Sequence, residues 1–226
     1  MRSKWLRRKK GDRLILFCNG WGMDETPFIP LKCHGWDLLM FHDYQDMSVE
    51  EDLSALLKQY RETVLLSWSM GVWVGQQLLY PLRQRLSAAL AINGTISPVD
   101  DHFGIPGDVF RATLEAFDEK QRLRFYNQMC GKRVLTKKFL LHQPRRSVES
   151  QRGELEFLLE QTTPEPRERS IYDTVFVADR DYIMPTDNQL RFWGEERVRL
   201  LRGSHFLFYA YSSWDEMLAA AYDVQC

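Results

Sequence analysis

Short apolar runs alternate along this chain with segments in which apolar residues return every three or four positions. Leu14-Ile15-Leu16-Phe17, residues 37–41, Val64-Leu65-Leu66, residues 88–92, 174–178 and 198–201 have the composition and length of buried strands. Between the early runs lie helical patterns. Leu53, Leu56 and Leu57 follow Ser48-Val49-Glu50-Glu51, which predicts a capping box, and a second helical pattern runs from Val72 to about Arg85. Strand, helix, strand, helix, strand is the rhythm of a mostly parallel α/β sheet with helices on both faces. Lys4-Trp5-Leu6 and the first buried run flank Lys9-Lys10-Gly11-Asp12, a turn signal that predicts a short hairpin.

The rhythm breaks between about 95 and 169. Pro98, Pro106, Pro144, Pro164 and Pro166 punctuate this stretch, and helical patterns are expected over 109–117, 121–130 and 148–161. The expectation is a helical cap inserted at about 95–169 in a single domain spanning 1–226. Phe103, Phe110, Phe117, Phe125 and Tyr126 would either line a pocket beneath this cap or form its own core. The sheet then resumes, a helix runs to about Trp193, and an amphipathic helix is expected over 213–222.

Composition narrows the class. With 44% hydrophobic and 27% charged residues in 226, the chain has enough apolar surface for a substantial core. No run approaches the roughly 20 apolar residues of a membrane span, and no secretory signal pattern follows the basic start, so the expected setting is the cytoplasm. Cys18, Cys33, Cys130 and Cys226 are scattered without metal-ligand or redox-pair spacing, so reduced thiols and no metal site are expected. The net charge of −1 conceals an asymmetry, because 120–152 holds ten basic residues and one acid, Glu149. Such a block is either a solvated face or a docking patch for an acidic partner, with Arg145, Arg146 and Arg152 as candidates. The overall balance and the lack of a recognition motif argue against nucleic acid.

The chemistry centres on Ser67-Trp68-Ser69-Met70-Gly71, where an apolar run meets a small-x-Ser-x-small turn and then a helical pattern. A serine on such a turn stands above a sheet as a nucleophile; the plain alternative is a buried turn with an incidental serine. Serine needs a base, and the base needs an orienting acid. His205 alone among five histidines follows a late strand run directly, beside Gly203. Asp179 and Asp181 both end the preceding strand run, and Asp181 is preferred. Trp21, within Asn19-Gly20-Trp21-Gly22-Met23, and Met70 are the expected backbone donors to an oxyanion.

These residues resemble a known family. The pattern is similar to that of the α/β-hydrolases over the whole chain, and the motifs at 19–23 and 67–71 resemble elements of the biotin-pathway carboxylesterases. Ala91-Ile92-Asn93-Gly94-Thr95, Pro98-Val99-Asp100, Gly104-Ile105-Pro106 and Phe125-Tyr126-Asn127-Gln128-Met129-Cys130 resemble the short BioG-type pimeloyl-[acyl-carrier protein] methyl ester esterases. Ser67 in place of glycine and Asn19 in place of histidine depart from the longer esterases. The resemblance implies hydrolysis of a carrier-bound methyl ester, an acyl carrier protein as partner, and no cofactor. A thioesterase, a general short-chain esterase and a non-catalytic binding module of the same fold stay open at this point.

Overall fold

The computed structural model describes residues 1–222; Cys226 lies outside them. Seven strands form one sheet in the order β1-β3-β2-β4-β5-β6-β7. They are β1 (Arg2–Arg7), β2 (Arg13–Cys18), β3 (Asp37–His42), β4 (Glu62–Trp68), β5 (Ala88–Ile92), β6 (Thr174–Ala178) and β7 (Val198–Leu201). All pair in parallel except β1, which runs antiparallel to β3. The expected hairpin between β1 and β2 therefore does not form. Both edges of β2 are taken by β3 and β4, whose apolar runs match its buried register, and β1, half polar, is left to pair on the outside.

Alternate residues of β2 face opposite cores, as a pleated strand buried on both sides requires. Leu14, Leu16 and Cys18 join a cluster with α1 (Leu53–Leu57) and α2 (Met70–Leu79), and with Leu155 and Phe192 from later helices. Ile15 and Phe17 join a second cluster with Met129, Phe139 and the closing helix over Trp214–Tyr222. Helices thus cover both faces. No helix of the described residues is long and apolar enough to cross a membrane.

Three local details differ from expectation. Helix α1 starts at Leu53, and Asp52 caps it by accepting the Ala55 N–H at 3.0 Å. The expected capping-box acid Glu51 is instead bound by the Ser3 hydroxyl at 2.7 Å, so it cannot serve the helix. Helix α2 ends at Leu79 and continues only as a tighter 3-10 turn over Tyr80–Arg85, because Pro81 has no N–H to extend the ladder. Between β5 and β6 stand four helices rather than three: α3 (Gly107–Ala116), α4 (Glu119–Cys130), α5 (Arg133–Leu140) and α6 (Val148–Gln161). Helix α5 escaped the sequence because its cations hid a short period: Leu135, Thr136, Phe139 and Leu140 turn inward at i, i+1, i+4 and i+5.

Helix α2 lies so close to the sheet that a Cβ on Gly71 would meet the Cys18 carbonyl oxygen at 2.2 Å and that of Asn19 at 2.4 Å. Backbone cannot yield as a flexible side chain can. Gly71→Ala should therefore destabilise the fold by roughly 1–3 kcal/mol or more. Gly11→Ala, where a Cβ meets nothing within 4 Å, should change little. Thermal denaturation of the two variants checks this; equal melting temperatures would refute the close approach.

Candidate active site

Strand β4 delivers Ser69 to the C-terminal edge of the sheet, where ligands of open α/β folds bind. Its backbone sits at φ 57°, ψ −127°, a conformation that costs a non-glycine residue about 1–3 kcal/mol. The turn is held from both sides: the Ser69 N–H donates to the Ile92 carbonyl at 2.9 Å, and the Val72 N–H donates to the Ser69 carbonyl at 3.0 Å. Held this way, the Ser69 hydroxyl lies 2.8 Å from His205 Nε2, and His205 Nδ1 lies 2.7 Å from Asp181 Oδ2. An ionised carboxylate only accepts, so Nδ1 carries the proton and Nε2 is free to accept from the serine.

Asp181 is the acid in this chain of contacts, and Asp179 is not. Asp181 is buried, with Oδ1 accepting the N–H groups of Ile183 and Met184 at 2.9 and 3.1 Å. Its Oδ2 also accepts from Gln189 Nε2 at 3.0 Å. Asp179 is exposed and accepts the Gly203 N–H at 2.8 Å, and that bond, with Arg180 nearby, holds its carboxyl below the usual range. It braces the loop that carries His205 instead of touching the imidazole.

The loop of His205 is further gripped by two side chains, Trp68 and Asn93, for which the motifs that contain them indicated no role. Trp68 Nε1 and Asn93 Nδ2 both donate to the His205 carbonyl, at 2.9 and 2.8 Å. Asn93 Oδ1 accepts the Ala178 N–H at 2.7 Å, so one side chain ties the ends of β5 and β6 to the histidine loop. Asn93 has φ 47°, a conformation that asparagine tolerates better than most residues, which was the available signal in the Asn-Gly pair.

Trp21 and Met70 line the cavity at Ser69, and neither backbone N–H has a partner among the described residues. The Trp21 loop is clamped by α6. Gly22 N–H donates to Glu154 Oε2 at 3.1 Å, Gln151 Nε2 donates to the Gly22 carbonyl at 2.7 Å, and Trp21 Nε1 donates to the Gln151 carbonyl at 2.8 Å. Gln151 and Glu154 share the buried face of α6 with Leu155 and Leu158, at i, i+3, i+4 and i+7. Polar residues at core positions of an apolar helical face were a legible sign of a buried network that the charge reading passed over.

Arg146 closes this network. Its guanidinium, 7% exposed, pairs with Glu154 and Asp43, so it does not stand on a solvated docking face. Burial pushes the Glu154 carboxyl up and Arg146 opposes that shift. Arg145 is exposed, and Arg152, exposed overall, donates to the Phe117 carbonyl at 2.8 Å. Phe125 lines the cavity, but Tyr126 does not: it is buried among Phe139 and its neighbours, and its hydroxyl accepts from Gln151. Cys18 is buried behind the turn, and burial raises its thiol to about 12, which keeps it protonated and unreactive.

The cavity at Ser69 has a volume of about 90 Å3. Among the described residues no carboxylate, lysine or arginine lines it, and its ionisable side chains are His205 and the Tyr182 phenol; its walls include Ile105, Phe110, Phe125 and Leu155. A hydroxyl backed by a base, two N–H groups without a partner among the described residues and mostly apolar walls suit an attack on a neutral acyl group.

Residues 1–217 match the family model described as pimeloyl-ACP methyl esterase BioG. The chain is similar to the crystal structure of BioG from Haemophilus influenzae, with a TM-score of 0.86 and 33% identity over 99% of this chain and all of that one. It is 34% identical over 194 residues to malonyl-[acyl-carrier protein] O-methyltransferase of Bacteroides fragilis, a match that covers 85% of this chain but only 39% of that protein. The crystal structure of BpoC from Mycobacterium tuberculosis shares the fold at a TM-score of 0.62 and 15% identity, over 97% of this chain and 92% of that one.

Two outcomes follow from this geometry. Asp181→Asn should lower kcat for a small activated ester by about 10⁴-fold, because it leaves the imidazole in the wrong tautomer. Asp179→Asn should lower it far less; steady-state kinetics on folded variants decide, and the reverse ranking would move the acid to Asp179. Arg146→Met leaves Glu154 buried without its cation and Asp43 with only the exposed Arg2 at 3.3 Å, and should cost roughly 3–5 kcal/mol. Arg145→Met should stay within about 0.5 kcal/mol of wild type. Denaturant unfolding checks the contrast, and equal effects would return Arg146 to the surface.

Proposed function

The chain belongs to the BioG family of pimeloyl-ACP methyl esterases, and on that premise we propose that it hydrolyses the methyl ester of pimeloyl-[acyl-carrier protein], releasing methanol, with Ser69 as nucleophile. The observation that carries this reading is the hydrogen-bonded chain Ser69–His205–Asp181 opening into a cavity without charged walls.

The ester carbonyl sits over Ser69. His205 Nε2 takes the hydroxyl proton as Oγ attacks, and Asp181 stabilises the imidazolium that forms. The carbonyl oxygen gains negative charge and receives the N–H groups of Trp21 and Met70, residues that line the cavity and whose N–H groups have no partner among the described residues. His205 then protonates the departing methoxide, and methanol leaves. Water enters, gives its proton to His205, attacks the acyl-serine carbonyl, and releases the carboxylic acid and the restored hydroxyl. The α3–α6 insertion acts as the cap that walls the site, through Phe110, Phe125 and Leu155.

The same walls explain the choice of a methyl ester over a free acid. Bringing an ionised carboxylate out of water into an apolar cavity costs several kcal/mol unless a cation meets it, and none lines this one. The neutral ester enters and the ionised product is disfavoured. The partner is the acyl carrier protein that bears the substrate, an acidic protein suited to the basic surface of the cap.

Purified methyl pimeloyl-carrier protein, incubated with the enzyme and read by mass, should lose one methyl ester and keep its thioester. Loss of the whole acyl group would mark a thioesterase instead. Ser69→Ala should lower the rate by roughly 10⁶-fold, and a Ser69→Ala, His205→Ala double variant should be little worse, because the two act as a unit. A fluorophosphonate that fails to label Ser69 would point to a non-catalytic binding module.

A further inference from the structure

A second depression of about 250 Å3 lies beside the cavity at Ser69 and shares Tyr182 with it as a common wall. Ser204 and Phe206, the neighbours of His205, also line it. Three cations from separate elements meet there: Lys132 at the turn between α4 and α5, Arg180 after β6, and Arg202 after β7. No acidic residue lines the depression. Asp179 approaches Arg180 at 3.4 Å, but Lys132 and Arg202 have no salt-bridge partner among the described residues. Leu135, Phe206 and Leu207 supply an apolar floor.

Converging cations repel one another, and an apolar floor gives them less water to screen that repulsion. An anion attached to a partly apolar body relieves both. The adjoining cavity, at about 90 Å3, holds only the reacting end of a long substrate. Tyr182, the wall that both hollows share, is 61% exposed, and its carbonyl is held to α4 by Gln128 Nε2 at 2.7 Å, so the remainder has a route across it into the second depression.

We propose that this depression is a binding subsite for the phosphate-bearing arm that tethers the acyl chain to its carrier. Lys132, Arg180 and Arg202 receive the phosphate, and the amide-and-alkyl body of the arm rests on Leu135, Phe206 and Tyr209. The proposal rests on the esterase reading and adds to it a site that recognises how the acyl group is carried. Guanidinium groups suit phosphate because they can donate two parallel N–H bonds to its oxygens.

The test uses one acyl chain, methyl pimeloyl, on three thiols: pantetheine, phosphopantetheine and the complete carrier protein. kcat/KM is measured for wild type and for a Lys132→Gln, Arg180→Gln, Arg202→Gln variant. Wild type should prefer the phosphopantetheine ester to the pantetheine ester by about tenfold or more, as one or two charge-assisted bonds would give. The variant should lose that preference, chiefly through KM, and keep its rate on the pantetheine ester. Equal loss on all three esters would overturn the subsite and make these residues supports of the His205 loop. Loss on the carrier ester alone would also overturn it, since the cations would then meet acidic protein surface and not phosphate. No loss on any ester would leave them an ordinary solvated group. If wild type hydrolysed none of the three, the esterase reading itself would fail, and that result is visible before any variant is made.

Discussion

Everything at this site depends on one strained peptide turn. Ser69 adopts a backbone conformation that L-residues avoid, and it does so because β4 must end and α2 begin without an intervening loop. The cost, about 1–3 kcal/mol, is a large share of the few kcal/mol by which a domain is stable. It is tolerated because the turn is over-determined. Two backbone hydrogen bonds fix it, α2 rides against the Cys18 and Asn19 carbonyls over Gly71, and a Cβ on Gly94 would meet the Ser69 carbonyl at 2.4 Å. The strain lifts the hydroxyl clear of the sheet, where the imidazole can reach it.

Position at the sheet edge would be useless if the partners could drift. The histidine loop is therefore tied at its backbone by Trp68 and Asn93, while the side chain is left to the serine and the acid. The Trp21 loop is tied by a buried ionic network, Glu154 with Arg146 and Asp43. Desolvating such charges costs several kcal/mol per ion, so the network is a poor way to add stability. Its value lies in direction: a carboxylate that keeps both its guanidinium and the Gly22 N–H holds the Trp21–Gly22 peptide in one orientation, and so limits how far the Trp21 loop can drift. The inserted helices thus reach back and set the geometry of a loop 129 residues or more away in sequence.

The separation in sequence explains what could be read from it. The order of the parallel strands, the turn at Ser69 and the loop of His205 rest on local patterns: apolar runs, small residues flanking a serine, a histidine just after a strand. The choice between Asp179 and Asp181 was weaker, since both follow β6 by a few residues; what separates them is that one side chain turns inward to His205 and the other outward to Gly203. Arg146 and Tyr126 were misplaced for a related reason. A cation within a basic block looks solvated until Asp43, 103 residues earlier, comes within reach. An aromatic residue beside Phe125 looks like pocket lining until α5, itself hidden by its lysines, brings Phe139 against it. The antiparallel β1 has the same cause: a turn signal shows that the chain reverses, not which strand edges are already occupied.

The contrast between the two adjoining hollows gives the site its direction. The inner one, at Ser69, is small and is lined by no carboxylate, lysine or arginine among the described residues, so it suits what is neutral better than what is ionised. Hydrolysis changes the substrate from the first kind to the second. At neutral pH the new carboxyl ionises and is better solvated outside than against apolar walls such as Phe110 and Leu155. No separate group is needed to expel it, because the reaction itself makes the product unsuited to the cavity. A cation placed deep in the same pocket would bind the product and slow turnover. The cations Lys132, Arg180 and Arg202 lie instead across Tyr182, outside the inner walls. Charge is thus kept where it can hold the invariant part of a substrate without touching the part whose charge must change.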